Sequence, residues 1–519
     1  MVDTLEAHEV LIRSLLDPAA WPEGGGDRRR IDTHISTVVL AGEEAYKIKK
    51  PLDLGFLDFS TLERRRLCCE EEVRLNRRLA PQIYIRALPV TGSETAPRLG
   101  GDGPVIDWAV HMHRFDPDAI LSRHTDQLNR GLVEKIAWRI ARFHADAAVC
   151  PDDLGCGTPE AVYAPMAQNF SQIRSLRGGD RRLLDKLADW TEDRQYELRQ
   201  VLYARRAGSH VRECHGDLHL GNIALINGEP VAFDGIEFNP ALRWIDTMND
   251  LAFLTMDLTR VGRVDLARWF LDSYLELRGD YDGLRVLHFY EVYRAMVRAK
   301  VAAIRISQRD LPADARERTI GEFRRYLRIA EAFTHPSPRA IVITQGVSGT
   351  GKSTVASQLL DHLHAVRVRS DVERKRLAGL APRADAMTLY NAGIYTADMT
   401  ERTYARLAEL AQTIVEAGYV AVVDATFLQH AHRQRFADLA ARMDVPFVIL
   451  NCEAPEAVLR ARVSERMATG GDVSDADLEI LAAQLRAREP LSGEEVAMSI
   501  PVRPDCPLEL DDLVRRIQR

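Results

Sequence analysis

The chain has 519 residues, 46% of them hydrophobic and 28% charged, with a net charge of −7. That length allows about three or four compact units, and the acidic balance excludes a broad basic surface for duplex nucleic acid, though not a local basic groove. No apolar run approaches the ~20 residues of a membrane span. The first residues lack the basic flank and apolar stretch of a signal peptide, and the seven cysteines are odd in number and scattered, so the expectation is a cytoplasmic protein with reduced thiols.

Taken in chain order, residues 36–40 and 44–48 read as two strands joined by the turn Ala41-Gly42-Glu43. A charged helix runs from Leu62 to Leu79 and stops before Pro81. Strands follow at 83–90 and 105–112. Residues 129–206 are helical by period, with Leu132, Ile136 and Ile140 on one face. Residues 246–333 are helical again. Residues 334–339, Thr-His-Pro-Ser-Pro-Arg, are polar and hold two prolines; they mark the main boundary. Beyond it strand and helix alternate: strands at 340–345, 365–369, 419–424 and 446–451, helices after Lys352, at 399–417 and at 432–443. That alternation implies a parallel sheet covered by helices. The expected units are 1–336, with lobes dividing near residue 115, and 337–519.

Two motifs carry the chemistry, and they belong to different designs. Residues 215–222 read His-Gly-Asp-Leu-His-Leu-Gly-Asn. Phosphoryl transfer to a hydroxyl needs a carboxylate at the acceptor, magnesium ligands and a cation on the nucleotide phosphates. Asp217 and Asn222 have the spacing of a kinase catalytic loop, which turns the carboxylate to the acceptor and the amide back to a metal. Twelve residues on, Val231-Ala-Phe-Asp234-Gly235 puts a second carboxylate at a strand end. The plain alternative is a polar turn with a capping aspartate. Upstream, Lys47 ends a strand where a phosphate-binding lysine belongs, and Lys49 shares its face. Glu70, Glu71 and Glu72 are candidate partners on the next helix; Glu72 is preferred for its distance to Pro81. His144 and His219 read as core histidines, Asp246 and Asp250 as structural carboxylates, and His215 as an orienter of the loop backbone.

His215–Asn222, Phe233–Phe238 and Arg243–Phe253 together resemble the aminoglycoside phosphotransferase family of small-molecule kinases. The resemblance covers roughly residues 30–333. It implies an α+β, protein-kinase-like, two-lobed fold with ATP between the lobes, Asp217 as catalytic base, and Asn222 and Asp234 as magnesium ligands. The chain departs from the family where the nucleotide-covering loop belongs. Thr33-His-Ile-Ser-Thr37 has no Gly-x-Gly-x-x-Gly pattern.

Residues 346–353 read Gly-Val-Ser-Gly-Thr-Gly-Lys-Ser, after an apolar strand and before a helix. That context is what a P-loop requires. Gly346, Gly349, Thr350 and Gly351 bring backbone amides around phosphate oxygens, and the helix N-terminus adds positive potential. Lys352 is expected on the β- and γ-phosphates and Ser353 on magnesium. Thr354 follows in the first helical turn, and it packs there or borders the nucleotide. Asp424 ends a strand as a second magnesium carboxylate does, or caps a helix. Asp371, after Arg369, is the candidate base, with an N-cap as its plain role. Arg462 and Arg466 share a helix face ahead of Gly470-Gly471-Asp472, as in an arginine-bearing lid. This half resembles small P-loop kinases: gluconate- and shikimate-type kinases, polynucleotide 5′-kinases and zeta-type toxins. It implies an α/β three-layer fold with a parallel sheet.

The sequence therefore predicts a bifunctional kinase that uses ATP and magnesium on small-molecule substrates. Rival expectations are one active half beside a regulatory or sensor half, and a nucleic acid 5′-kinase. The last would need a basic channel beside Asp371, for which Arg367, Arg369, Arg374, Lys375 and Arg376 are the candidates.

Overall fold

The computed structural model describes residues 2–17, 21, 28–55, 57–176, 181–308, 311–381, 396–469, 478–503 and 508–518; of the side chains at 466–469 only the backbone course is described. The N-terminal lobe is a six-stranded antiparallel sheet in the order β1-β2-β3-β6-β4-β5. Its strands are β1 (Arg28–Asp32), β2 (Ser36–Ala41), β3 (Glu44–Lys49), β4 (Tyr84–Ser93), β5 (Ala96–Leu99) and β6 (Val105–His113). The helix Leu62–Asn76 lies across β4 and β6. Its N-cap is Thr61, whose hydroxyl accepts the Arg64 amide. It ends at Asn76, short of the expected Leu79, and passes into a turn. The buried face of this helix includes Arg65, Glu72 and Asn76. Such a face forms only where each polar group finds a partner. Arg65, for example, donates to Asp107 at 2.7 Å.

The second lobe is helical. Helices Arg130–Asp146, Thr247–Arg260, Val264–Arg278 and Leu284–Ser307 pack around one core. Two small antiparallel pairs sit against it: β7 (Val211–Glu213) with β10 (Trp244–Asp246), and β8 (Ile223–Ile226) with β9 (Glu229–Ala232). These short strands flank the His215–Asn222 segment. The two-lobed, kinase-like class expected from the motifs is the one observed.

The C-terminal half is a five-stranded parallel sheet in the order β12-β13-β11-β14-β15. Its strands are β11 (Ala340–Gln345), β12 (Ala365–Arg369), β13 (Val420–Asp424), β14 (Phe447–Cys452) and β15 (Ser499–Val502). β11, which feeds the P-loop, is central and buried throughout. Strands buried on both faces read as apolar runs, as β11, β13 and β14 do. β15 was not predicted: Ser499-Ile-Pro-Val502 is short and contains a proline, which an edge strand tolerates.

The two halves share a core. Helix Val264–Arg278 of the first half packs on β12 and on helix Lys352–His362 of the second. Trp269 belongs to the same buried cluster as Ala340, Val342 and Leu360 and donates to Asp361 at 2.9 Å. His288, His364 and Tyr419 stack across the junction, with centroids 5.1 and 4.1 Å apart along the series. β12, one of the two edge strands of the P-loop sheet, is thus covered by a helix from the other half.

Candidate functional sites

In the first half, Lys47 and Lys49 alternate on β3 and face the same way. Lys47 Nζ donates to Glu72 Oε1 at 2.9 Å and to Asp234 Oδ1 at 2.5 Å. Lys49 Nζ donates to the other oxygen of Glu72 and to Glu237. Glu72 is fully buried and bridges both lysines. Burial pushes its carboxyl up, but Lys47 and Lys49 overcome this and hold it down to about 2. Burial pushes Glu237 up, against the pull of Lys49. One turn beyond Glu72, Asn76 Oδ1 accepts the Gly235 amide at 2.7 Å, and Asn76 Nδ2 donates to the Glu72 carbonyl at 2.9 Å. The helix therefore fixes both the lysine pair and the Asp234 turn. Asp234 has a φ of 60°, a left-handed conformation that Asp tolerates better than most residues and that is common at functional sites.

Replacing Glu72 by Gln leaves two buried ammonium groups without their shared anion, and a loss of about 3–5 kcal/mol in stability is expected. The Glu72 carboxyl is lowered from 4.5 to about 2, so its contribution is complete above 4.5 and is lost as pH falls toward 2. Urea midpoints of wild type and Glu72→Gln should differ most above pH 4.5 and converge in acid. A constant gap at every pH would contradict the assignment.

The His215–Asn222 segment is held from below. Asp250 Oδ2 accepts the His215 amide at 3.0 Å and Oδ1 the Gly216 amide at 2.9 Å. Asp257 accepts the Leu220 amide at 3.0 Å, and Arg294 donates to the Gly216 carbonyl at 2.9 Å. His215 Nε2 lies 3.0 Å from the Phe233 carbonyl, tying the loop to the strand before Asp234. His144 is buried between Asp250 and the Tyr274 hydroxyl. Asp246 caps the following helix at Met248 and pairs with Arg205.

Asn222 Nδ2 donates to Asp217 Oδ2 at 2.9 Å and to its carbonyl at 3.0 Å. The Asn222 carbonyl accepts the Phe233 amide at 2.9 Å, which sets it beside Asp234. With Nδ2 committed, the amide oxygen of Asn222 and the second oxygen of Asp234 remain as ligands. Hard oxygen donors of this kind suit magnesium. Two further side chains, His219 (expected as a core histidine) and Arg298, gather at Asp217. His219 Nε2 lies 3.4 Å from Asp217 Oδ2 and 3.5 Å from Arg298 Nη1. Burial pushes the Asp217 carboxyl up, but His219, Arg298 and His215 together hold it well below its ordinary range. The carboxylate is therefore ionised at neutral pH. Where a glycine loop was missing, the β1–β2 hairpin is closed by side chains: Thr33 Oγ1 accepts the Ser36 amide and donates to the Ser36 carbonyl, both at 2.9 Å.

In the second half the P-loop leaves β11 at Gly346. Its φ is 148°, and a Cβ there would lie 2.4 Å from the Cys452 carbonyl oxygen. Gly349 and Gly351 have φ of 87° and 93°, and Gly351 is the N-cap of helix Lys352–His362. Lys352 Nζ donates to the Val347 carbonyl at 2.9 Å, and the Thr350 hydroxyl donates to the same carbonyl at 2.8 Å. The loop opens on a cleft of about 720 Å³ bordered by Lys352, Ser353, Thr354, Asp371, Asp424 and Arg462, among others. The Ser353 hydroxyl and Asp424 carboxylate are again hard oxygen donors. The Asp371 side chain does not cap its helix. Burial raises its carboxyl, and Asp424 adds to this against Arg369. Arg462 Nη1 donates to the Gly349 carbonyl at 3.1 Å. The Arg466 side chain lies outside the described residues, as do Gly470, Gly471 and Asp472. Arg460, on the same helix, pairs with Glu456. Gln484 was not foreseen; its Oε1 accepts the Ser348 amide of the P-loop at 2.7 Å.

A family model described as an AAA domain matches residues 341–491. The protein Rv2004c of Mycobacterium tuberculosis (strain ATCC 25618 / H37Rv) is 32% identical over 467 residues, 88% of this chain and 89% of that one. Mb2027c of Mycobacterium bovis (strain ATCC BAA-935 / AF2122/97) matches to the same extent. The chain belongs to the family of these mycobacterial proteins. Members share both halves, since the match runs across most of each chain. Among solved structures, the amicoumacin kinase hAmiN is 15% identical, with a TM-score of 0.38, over 63% of this chain and 93% of that one. A gluconokinase from Sinorhizobium meliloti 1021 is 21% identical, with a TM-score of 0.24, over 35% of this chain and 91% of that one. No helix among the described residues is long and apolar enough to cross a membrane.

Proposed function

We propose that this protein is a bifunctional, ATP- and magnesium-dependent phosphotransferase of the cytoplasm, with one centre in each half. The observation that carries the reading is the convergence of Lys47, Glu72 and Asp234 beside the Asp217–Asn222 pair. That set supplies a cation for nucleotide phosphates, oxygen ligands for a metal and an ionised base. In the first half, Asp217 accepts the proton of a small-molecule hydroxyl as it attacks the terminal phosphorus of ATP. Lys47, held by Glu72, contacts the nucleotide phosphates. Asn222 and Asp234 hold magnesium, which neutralises phosphate charge when bound. In the second half, Lys352 and the loop amides hold the β- and γ-phosphates, Ser353 and Asp424 the metal, and Asp371 faces the acceptor.

The substrates are small molecules in this reading. Arg367 and Arg376 contact Asp272 and the Glu276 carbonyl of the first half, which argues against their lining a nucleic-acid channel. A second reading, in which one half regulates the other, is favoured by the core the halves share.

Lys352→Ala in the full chain tests the C-terminal centre. Turnover there should fall on the order of 10²-fold or more, since Lys352 meets charge that develops in transfer. ATP affinity should fall less, because backbone amides still cradle phosphate. Unchanged turnover would refute a catalytic P-loop. ATP binding by the wild-type half without transfer to any acceptor would favour the regulatory reading.

A further inference from the structure

Three arginines of the P-loop half converge on the last turns of helix Val264–Arg278, which belongs to the other half. Asp272 Oδ1 accepts the backbone amide of Arg367 and Oδ2 accepts its Nη2, each at 2.9 Å. One turn on, Glu276 divides its carboxylate. Oε2 lies 3.4 Å from Arg367 Nη2, and Oε1 lies 3.5 Å from Arg369 Nη1. Arg376 Nη2 donates to the Glu276 carbonyl at 2.6 Å. The helix closes at Gly279, φ 73°, where a Cβ would come within 2.8 Å of Arg376 Nε. Cations suit this end of a helix, where unsatisfied carbonyls carry partial negative charge.

Arg369 is the member of this group that borders the P-loop cleft. Its Nε lies 3.8 Å from Asp424 Oδ2, while its Nη1 faces Glu276. This guanidinium thus stands between Glu276 of one half and Asp424 of the other, with the Asp371 carboxylate also within its field. Asp424 is the candidate magnesium ligand. All three side chains are largely buried, with exposures of 12% for Arg369, 16% for Glu276 and 5% for Asp424. Charges in so dry a place interact more strongly than in water. A guanidinium also fits a carboxylate in a two-pronged pair. Left without Glu276, Arg369 closes on Asp424 and competes with a cation for the same oxygens. Glu276 is well anchored against that pull, because its other oxygen faces Arg367. Arg367 is itself pinned by Asp272 and by the Ser357 hydroxyl at 2.7 Å.

We propose that Glu276 is a positioning residue for the C-terminal centre: it holds Arg369 off Asp424 and so keeps that carboxylate available to the magnesium–nucleotide complex. The proposal rests on reading the C-terminal half as a magnesium-dependent P-loop site. It means that a charge supplied by one half sets the metal requirement of the other.

The test uses full-length protein carrying Lys47→Ala, which weakens the N-terminal nucleotide site. ADP is titrated by calorimetry at a series of magnesium concentrations. Glu276→Gln is expected to raise the magnesium concentration for half-maximal ADP binding by about tenfold. ADP affinity without magnesium should change by less than about twofold, since the P-loop amides are untouched. Adding Arg369→Gln to Glu276→Gln removes the competitor and should return the magnesium midpoint to the wild-type value or below. A Glu276→Gln protein that loses thermal stability but keeps its magnesium midpoint would make Glu276 an interface contact only, and the proposal would be wrong. Should Glu276→Gln not fold, Arg369→Gln alone decides: a lowered magnesium midpoint is expected, and an unchanged or raised one overturns the idea. Wild-type protein whose ADP binding at this site ignores magnesium would instead sink the P-loop metal reading itself.

Discussion

Asp217→Asn should lower phosphotransfer by the N-terminal half by ~10²–10⁴-fold, the usual contribution of a general base. The substitution keeps shape and removes the group that accepts the hydroxyl proton. The loop itself should survive, because its amides are held by Asp250 and Asp257 and its carbonyl at Gly216 by Arg294. An asparagine also retains an oxygen to accept from Asn222 Nδ2, which now donates to Asp217 at 2.9 Å. The loss should therefore appear in kcat with little change in ATP affinity or thermal midpoint. In Lys352→Ala protein, which silences the other centre, labelled ATP and a metabolite extract would report the N-terminal rate alone. A rate unchanged by Asp217→Asn in that background would remove Asp217 from the mechanism.

Asp272→Ala should destabilise the whole chain by about 3–5 kcal/mol, because it strands a buried arginine. Asp272 is fully buried and takes both the backbone amide and the guanidinium of Arg367. The amide belongs to β12, the edge strand of the parallel sheet, so an unpaired buried donor is left as well. The same geometry bears on separating the halves. A fragment of residues 340–519 would expose the faces of β12 and of helix Lys352–His362 on which helix Val264–Arg278 packs, and would leave Arg367 without Asp272. We expect that fragment to be poorly soluble, with a broadened thermal transition compared with the full chain. A sharp transition in the isolated fragment, at the temperature of the intact protein, would show that the contact contributes little.

Much of the geometry at both candidate centres was legible in the sequence, for identifiable reasons. The P-loop and the His215–Asn222 segment are contiguous, so their spacing in the chain is their spacing in space. Glu72 was preferred among three neighbouring glutamates for its distance to Pro81, and it is the one that meets Lys47 and Lys49. The apolar strands β11, β13 and β14 announced themselves as buried on both faces. What stayed hidden depends on distant pairing. Arg367 and Arg369 in a strand looked like the wall of a basic channel, yet Arg367 pairs with Asp272, 95 positions away. No local pattern marks such a partner. His219 read as a core histidine because its neighbours are apolar. Its ring does lie 5.1 Å from that of Phe253, while its Nε2 reaches Asp217. The two prolines at 336 and 338 mark a boundary between the expected units. Composition describes the linker and says nothing of the faces on either side of it.

The claim of two centres is tested most directly by following label from γ-labelled ATP into a small-molecule extract. Four full-length proteins are compared: wild type, Asp217→Asn, Lys352→Ala and the double variant. The account predicts that each single variant retains part of the labelling, that the products retained differ, and that the double variant labels nothing. If either single substitution alone abolishes every labelled product, the chain has one working centre and the two-centre account is contradicted.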